Sequence, residues 1–165
     1  MDTAPLLHRT LADVTWIAFD TEATGYSNVT ARLVEIAGAK FRFLPGAAPA
    51  PTAEAPHPLA AVEELETFQV LVNPGIPMPP DVIPIHGLDD AAVKDAAPPL
   101  AVLERFFAFC DDAILLAHYV PFDLGIMSFA RAREGMGVPR LAAIDTSILP
   151  KRLFHGAPNY ALETL

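Results

Sequence analysis

The sequence predicts an α/β domain built on a mixed five-stranded sheet with helices on its faces. Three observations carry that expectation. Three β-rich runs come first, at 14–20, 33–43 and 65–72. The link between the first two is short, so they read as an antiparallel hairpin. Two later apolar runs, at 113–117 and 142–144, each follow a helical pattern, so they should lie parallel to the first strand.

Each element has its own signal. Residues 14–20, VTWIAFD, are short and mostly apolar and read as a buried central strand. Residues 21–28 carry the turn formers Gly25, Ser27 and Asn28. Toward the end of 33–43, Lys40 and Arg42 alternate with Phe41 and Phe43. Residues 45–61 set Pro45, Pro49, Pro51, Pro56 and Pro58 among alanines, which reads as a polyproline-like loop insert or a partner-binding tail. Residues 73–84 hold Pro74, Pro77, Pro79, Pro80 and Pro84 and read as a rigid extended connection rather than a helix.

A short helix is expected from near Asp89 to before Pro98. Residues 99–110 are amphipathic, with Leu100, Leu103, Phe106, Phe107 and Cys110 on one face. Prolines 98 and 99 suit that helix's first turn. Residues 121–133 read as a helix with Gly135 and Gly137 beyond its end. Two more helical stretches are expected at 147–154 and 159–165, the second ending with the chain.

Composition bounds the function. The chain has 165 residues, 52% hydrophobic and 19% charged, which fits one folded domain spanning 1–165 and excludes overall disorder. Twenty acids against eleven bases give a net charge of −9. That excludes non-specific coating of nucleic acid by a basic surface. It leaves room for a small nucleic-acid site whose positive charge comes from bound metal. Cys110 is the only cysteine, so no internal disulfide forms, and its place on an apolar helical face makes it a core residue rather than a nucleophile. No signal peptide and no long apolar span is present, so a soluble, cytoplasmic protein without a membrane partner is expected.

The chemically loaded segment is Phe19-Asp20-Thr21-Glu22-Ala23-Thr24-Gly25. Side chains alternate along a strand, so Asp20 and Glu22 point the same way. Two close carboxylates repel unless a cation or a shared proton neutralises them. Hard divalent ions, Mg²⁺ or Mn²⁺, take such oxygen ligands. The alternative is a solvated strand end with two unrelated acids. Asp123 follows the strand at 113–117 and falls in the first turn of the next helix. It either faces Asp20 at the sheet's carboxyl edge or simply complements a helix dipole. His86, in its proline-stiffened loop, either satisfies a turn or bonds a ligand. No phosphate-binding glycine loop, nucleophile elbow or zinc set occurs.

Taken together, the Asp20-to-Gly25 block, then Ile85-His86-Gly87-Leu88, then Ala117-His118 with Phe122-Asp123, resembles the DEDD 3′→5′ exonucleases. The likeness is to the DnaQ-like branch that includes the proofreading epsilon subunit of bacterial DNA polymerase III. It covers about residues 13–165 apart from the insert. The resemblance implies a ribonuclease H-like fold and hydrolysis of the 3′-terminal phosphodiester of DNA or RNA with two Mg²⁺ or Mn²⁺ ions. It implies that Asp20, Glu22 and Asp123 are the catalytic, metal-holding residues. Ala23 and Thr24 would meet the terminal nucleotide, His86 its sugar, and Ile85 and Leu88 its base, with Gly25 and Phe122 also counted among the substrate-binding residues. The implied partners are a single-stranded or frayed 3′ end and a DNA polymerase subunit.

The chain departs from that pattern in two places. Tyr119 follows His118 where the family usually has Asn. Residues 159–165 resemble the stretch before a third block, with its fourth Asp and general-base His, and the sequence ends there. That predicts weak hydrolysis, since a general base is worth typically ~10²–10⁴-fold. Two other readings stay open. One is a non-catalytic nucleic-acid-binding or polymerase-docking module of the same fold. The other is a phosphatase with Asp20 as nucleophile.

Overall fold

Along β1 (Trp16–Ala23) burial alternates: Phe19, Thr21 and Ala23 are buried while Ala18 and Asp20 are open. That period of two is what a strand with one helix-covered face requires. The computed structural model describes residues 10–44, 61–137 and 139–148. β2 (Leu33–Phe43) pairs antiparallel with β1, and β3 (Val62–Leu71) pairs antiparallel with β2. β4 (Ile114–Ala117) lies parallel to β1, and β5 (Ala143–Asp145) parallel to β4. The order across the sheet is β3-β2-β1-β4-β5, the mixed five-stranded arrangement that the sequence predicts.

Three features stand apart from expectation, besides shifts in where β3 begins and the short helix after Asp89 ends. β1 runs on to Ala23, through part of the expected turn, because its ladder to β2 continues past an irregularity between Glu22 and Ala23. The proline-rich connection contains a helical turn, α1 (Ile83–His86). Pro84 sits in that first turn, where a missing N–H costs no hydrogen bond, and Gly87 closes it at φ 76°. α2 (Asp90–Val93) is capped by Asp89, whose carboxylate accepts from the Ala92 N–H at 2.9 Å.

The third difference is the buried face of α3 (Pro99–Cys110). It carries Leu103, Phe106 and Cys110 as predicted, but Val102 and Phe109 replace Leu100 and Phe107, which are half-buried. The stripe has rotated toward β3, where Phe68 packs against both Phe106 and Phe109. α4 (Val120–Ala132) follows β4. The Leu44 N–H donates to the Ala61 carbonyl at 2.9 Å, so the two ends of the Pro/Ala-rich insert meet. Residues 45–60, and nearly all of the helices read at 147–154 and 159–165, lie outside the described residues.

The main core lies between one face of the sheet and helices α3 and α4. Ile17, Leu33, Ile36, Leu103, Leu115 and Met127 are fully buried in it. Phe106 is its centre, with ring contacts to Phe19, Phe68, Phe107 and Phe109. Cys110 is buried there too, and desolvation pushes its thiol up to about 12 against a small pull from Lys40. A thiol so held is packing, not a nucleophile. Among the described residues no helix is long and apolar enough to cross a membrane.

Phe106→Ala should therefore cost about 3–5 kcal/mol of unfolding free energy. Urea unfolding followed by circular dichroism measures it. A loss below about 1 kcal/mol would place the centre of the core elsewhere.

Candidate active site

The sheet brings the predicted acids to one edge. Asp20 and Glu22 project from the open face of β1, two residues apart. Asp20 stands beside Ala18, Ala37 and Gln69 on that face. Thr21 points the other way and is buried. Its Oγ1 donates to Asp123 Oδ1 at 2.7 Å. Asp123 sits in the first turn of α4 and is only 2% exposed. The parallel pairing of β4 with β1 delivers it there, because the chain leaves β4 at the same end as the Asp20–Glu22 step of β1.

The electrostatics of this edge are unfavourable for three anions. Burial raises the Asp20 carboxyl above its usual range, and Glu35 adds to the rise against one backbone hydrogen bond. Burial raises Glu22 as well, and repulsion from Asp20, Glu35 and Asp123 adds to it. Asp123 is pushed up to about 6, first by burial and then by Asp20, in spite of the Thr21 hydrogen bond. Glu35 joins the group because it is the cross-strand partner of Glu22.

All these donors are hard carboxylate oxygens, the set that Mg²⁺ or Mn²⁺ takes. A divalent cation would relieve their mutual repulsion, so the residues fit such an ion by chemistry. Among the described residues, no three His, Cys, Asp or Glu side chains already stand grouped as a cage for one.

Beside Glu22 lies a pocket of about 160 Å³. It gathers Glu22, Ala23, Gly25, Ile85, His86 and Phe122, six of the residues singled out in the sequence. The His86 ring is fixed in its role. Its Nδ1 accepts the Leu88 N–H at 3.0 Å, so in the neutral ring the proton is on Nε2. That Nε2 is buried and has no hydrogen-bond partner among the described residues. A buried donor without a partner costs stability, and an acceptor atom entering the pocket would remove that cost.

Two expected contacts go elsewhere. Leu88 packs into a second small core with Val34, Met78, Val82 and Val93. Thr24 is locked to the start of β2: its Oγ1 accepts the Arg32 N–H and its own N–H donates to the Arg32 carbonyl, both at 2.9 Å. It shapes the turn rather than lining the pocket. The pocket also uses Val82 and Tyr26, which the sequence reading passes over. Tyr26 is 71% exposed at its rim. Its position directly after Gly25 was the available signal.

Asp145, at the end of β5, is a further acid near this edge. Its Oδ1 accepts the N–H groups of Tyr119 and Ser147 at 3.0 and 2.9 Å. Burial alone would raise its carboxyl, but the Ser147 and Tyr119 hydrogen bonds outweigh that and hold it below the usual range.

Residues 17–165 match the Exonuclease (RNase_T) family. The chain belongs to the exonuclease family. Among its relatives is the PolC-type DNA polymerase III of Listeria monocytogenes, 31% identical over 158 residues, or 96% of this chain and 10% of that protein. The PolC-type polymerase of Caldanaerobacter subterraneus is 29% identical over 91% of this chain and 9% of its own. The chain thus spans about a tenth of the length of these relatives.

Solved structures share the fold. Escherichia coli exonuclease I in complex with a dT13 oligonucleotide superposes with a TM-score of 0.67 at 14% identity, covering 92% of this chain and 35% of that one. Exonuclease X in complex with 5′-overhanging duplex DNA gives 0.60 at 21% identity, covering 91% and 70%. The sheet is therefore the ribonuclease H-like sheet that the resemblance implies.

The raised Asp123 carboxyl has a stability consequence. In the folded chain it holds its proton up to about pH 6, while in the unfolded chain it loses it near the usual ~3.9. The folded state therefore binds more protons in that window, and stability falls as pH rises from about 4 to about 6. Asp123→Asn keeps an acceptor for Thr21 and removes the charge. Above pH 6 it should be more stable than the parent by about 1–3 kcal/mol, with the difference vanishing toward pH 4. Urea unfolding at a series of pH values without divalent ions measures this. Equal pH profiles would show that Asp123 is not held protonated by its surroundings.

Proposed function

We propose that this exonuclease-family domain is a 3′→5′ exonuclease. It trims single-stranded or frayed DNA ends one nucleotide at a time, with two Mg²⁺ or Mn²⁺ ions as cofactor, in a proofreading or repair role. The observation that carries the proposal is a juxtaposition. Three carboxylates that repel one another stand beside a small, largely apolar pocket whose one buried donor is unsatisfied. Asp20, Glu22 and Asp123 are the residues that would hold the metal. Bound there, divalent ions supply a lowered pKa for the attacking water and a counter-charge for the departing oxygen.

The chain's own groups do the selecting. The pocket suits a single nucleobase, with Ile85 and Phe122 against its faces and Ala23 and Gly25 allowing close approach of the backbone. The His86 Nε2–H donates to a sugar or base oxygen of the terminal nucleotide. Tyr26 at the rim offers a ring for stacking the next base, a contact that every base can make. An acidic chain can hold such a substrate because only a few nucleotides are gripped and the metal neutralises their phosphates. RNA ends fit the same description. The kinship with PolC-type polymerases supports a place beside a DNA polymerase.

Digestion of a 5′-labelled single-stranded DNA with Mn²⁺ tests the reading. A ladder shortening from the 3′ end is expected, abolished by chelation. Asp20→Ala should slow it at least about a hundredfold, as loss of metal-borne charge stabilisation worth several kcal/mol requires. His86→Ala should raise KM roughly fivefold, the value of one hydrogen bond. Digestion that survives Asp20→Ala or chelation, or that starts from the 5′ end, would overturn the proposal. A parallel RNA oligonucleotide ranks the two substrates.

A further inference from the structure

Asp123 reaches Thr21 only because the chain reverses sharply between β4 and α4. Tyr119 carries that reversal in the left-handed region, at φ 74° and ψ 52°. A bulky residue adopts this conformation only when its surroundings hold it there. Two side chains from distant segments do so. From one side, Asp145 accepts the Tyr119 N–H at 3.0 Å. The next residue, Thr146, secures that side by donating its own N–H and hydroxyl to the Ala117 carbonyl at 2.9 and 3.1 Å. From the other side, Asn28 in the β1–β2 loop donates from Nδ2 to the Pro121 carbonyl at 3.1 Å.

Asn28 is seated against Gly125 of α4. A Cβ there would stand 2.5 Å from Asn28 Nδ2 and 2.8 Å from its Cβ, so a larger residue would have to displace the loop. The Thr30 carbonyl adds a second tie, accepting from Arg133 Nη2 at 3.3 Å beyond the far end of α4.

We infer that Asn28 and Asp145 are positioning residues. Together they clamp the turn from Tyr119 to Pro121 and so set where Asp123 stands against Asp20 and Glu22. Neither lines the pocket beside Glu22. The kinetic consequence rests on the exonuclease reading; the clamp itself does not.

The test is amide hydrogen exchange of the intact chain, read without metal or substrate, in parallel with hydrolysis of single-stranded DNA. Asp145→Ala should speed exchange at Tyr119 and Phe122 about tenfold or more, with the central strands β1 and β2 unchanged. Asp145→Asn retains a carbonyl acceptor and should restore most of the protection. Asn28→Ala and Gly125→Ala should loosen residues 120–123 alike, one by deleting the donor and one by pushing it away. In the same samples kcat should fall about tenfold in Asp145→Ala, with KM within about twofold, and recover in Asp145→Asn.

Unchanged exchange at 119–123 in Asp145→Ala and Asn28→Ala would overturn the clamp. Faster exchange with undiminished kcat would overturn the positioning role. If Asp145→Ala loses protection throughout the sheet, Asn28→Ala and Gly125→Ala decide. If the parent chain does not hydrolyse DNA at all, the exonuclease reading falls, and exchange alone decides the clamp.

Discussion

Thr21 and Asp123 are 102 positions apart in the chain, yet their side chains share a buried hydrogen bond of 2.7 Å. The bond couples the central strand to the helix that follows its parallel neighbour. Placing Thr21 on the buried face obliges Asp20 and Glu22 to take the open one. Three acids thus arrive at one edge from two elements, with one of them beneath the sheet surface. The hairpin register then adds Glu35 opposite Glu22. The core under this edge, centred on Phe106, is apolar, and the partners the acids find there are the Thr21 hydroxyl and backbone N–H groups of the edge itself.

The arrangement costs stability. Burial and mutual repulsion both raise the carboxyls of this edge. A fold under selection for stability alone would avoid grouping them, and sites that do so are commonly functional. The buried, unpartnered His86 Nε2 is a second cost in the adjoining pocket. Each has a natural remedy in the proposed complex: a cation among the carboxylates and an acceptor atom beside the imidazole. That the two deficits lie next to each other is what makes a joint explanation stronger than two separate ones.

Much of this could be read from the chain. Apolar runs and helical spacing are local signals, and they give the strands, the long helices and the sheet's mixed direction. The Asp20-x-Glu22 step is equally local, since alternation alone puts both acids on one side. Other features depend on contacts that local pattern does not carry. Leu88 looks like a pocket residue beside His86 but turns into the small core around Val82. The α3 stripe rotates because Phe68, on a distant strand, draws Phe109 inward. Tyr26, Glu35, Asn28 and Asp145 gain their places through register, loop docking and a parallel strand pair. A short helical turn at Ile83–His86 forms because its proline falls where no N–H is needed.

Burial and repulsion hold the Asp123 proton well above the usual carboxylate range, and in the proposed complex a divalent cation would reverse that. Carbon-13 NMR titration of the side-chain carboxyls, with and without Mg²⁺, measures this directly. Asp123 should titrate near 6 alone, with Asp20 and Glu22 above their usual range, and Mg²⁺ should lower all three together. Ordinary titration of Asp123 in the absence of metal, or three curves that Mg²⁺ leaves in place, would contradict it.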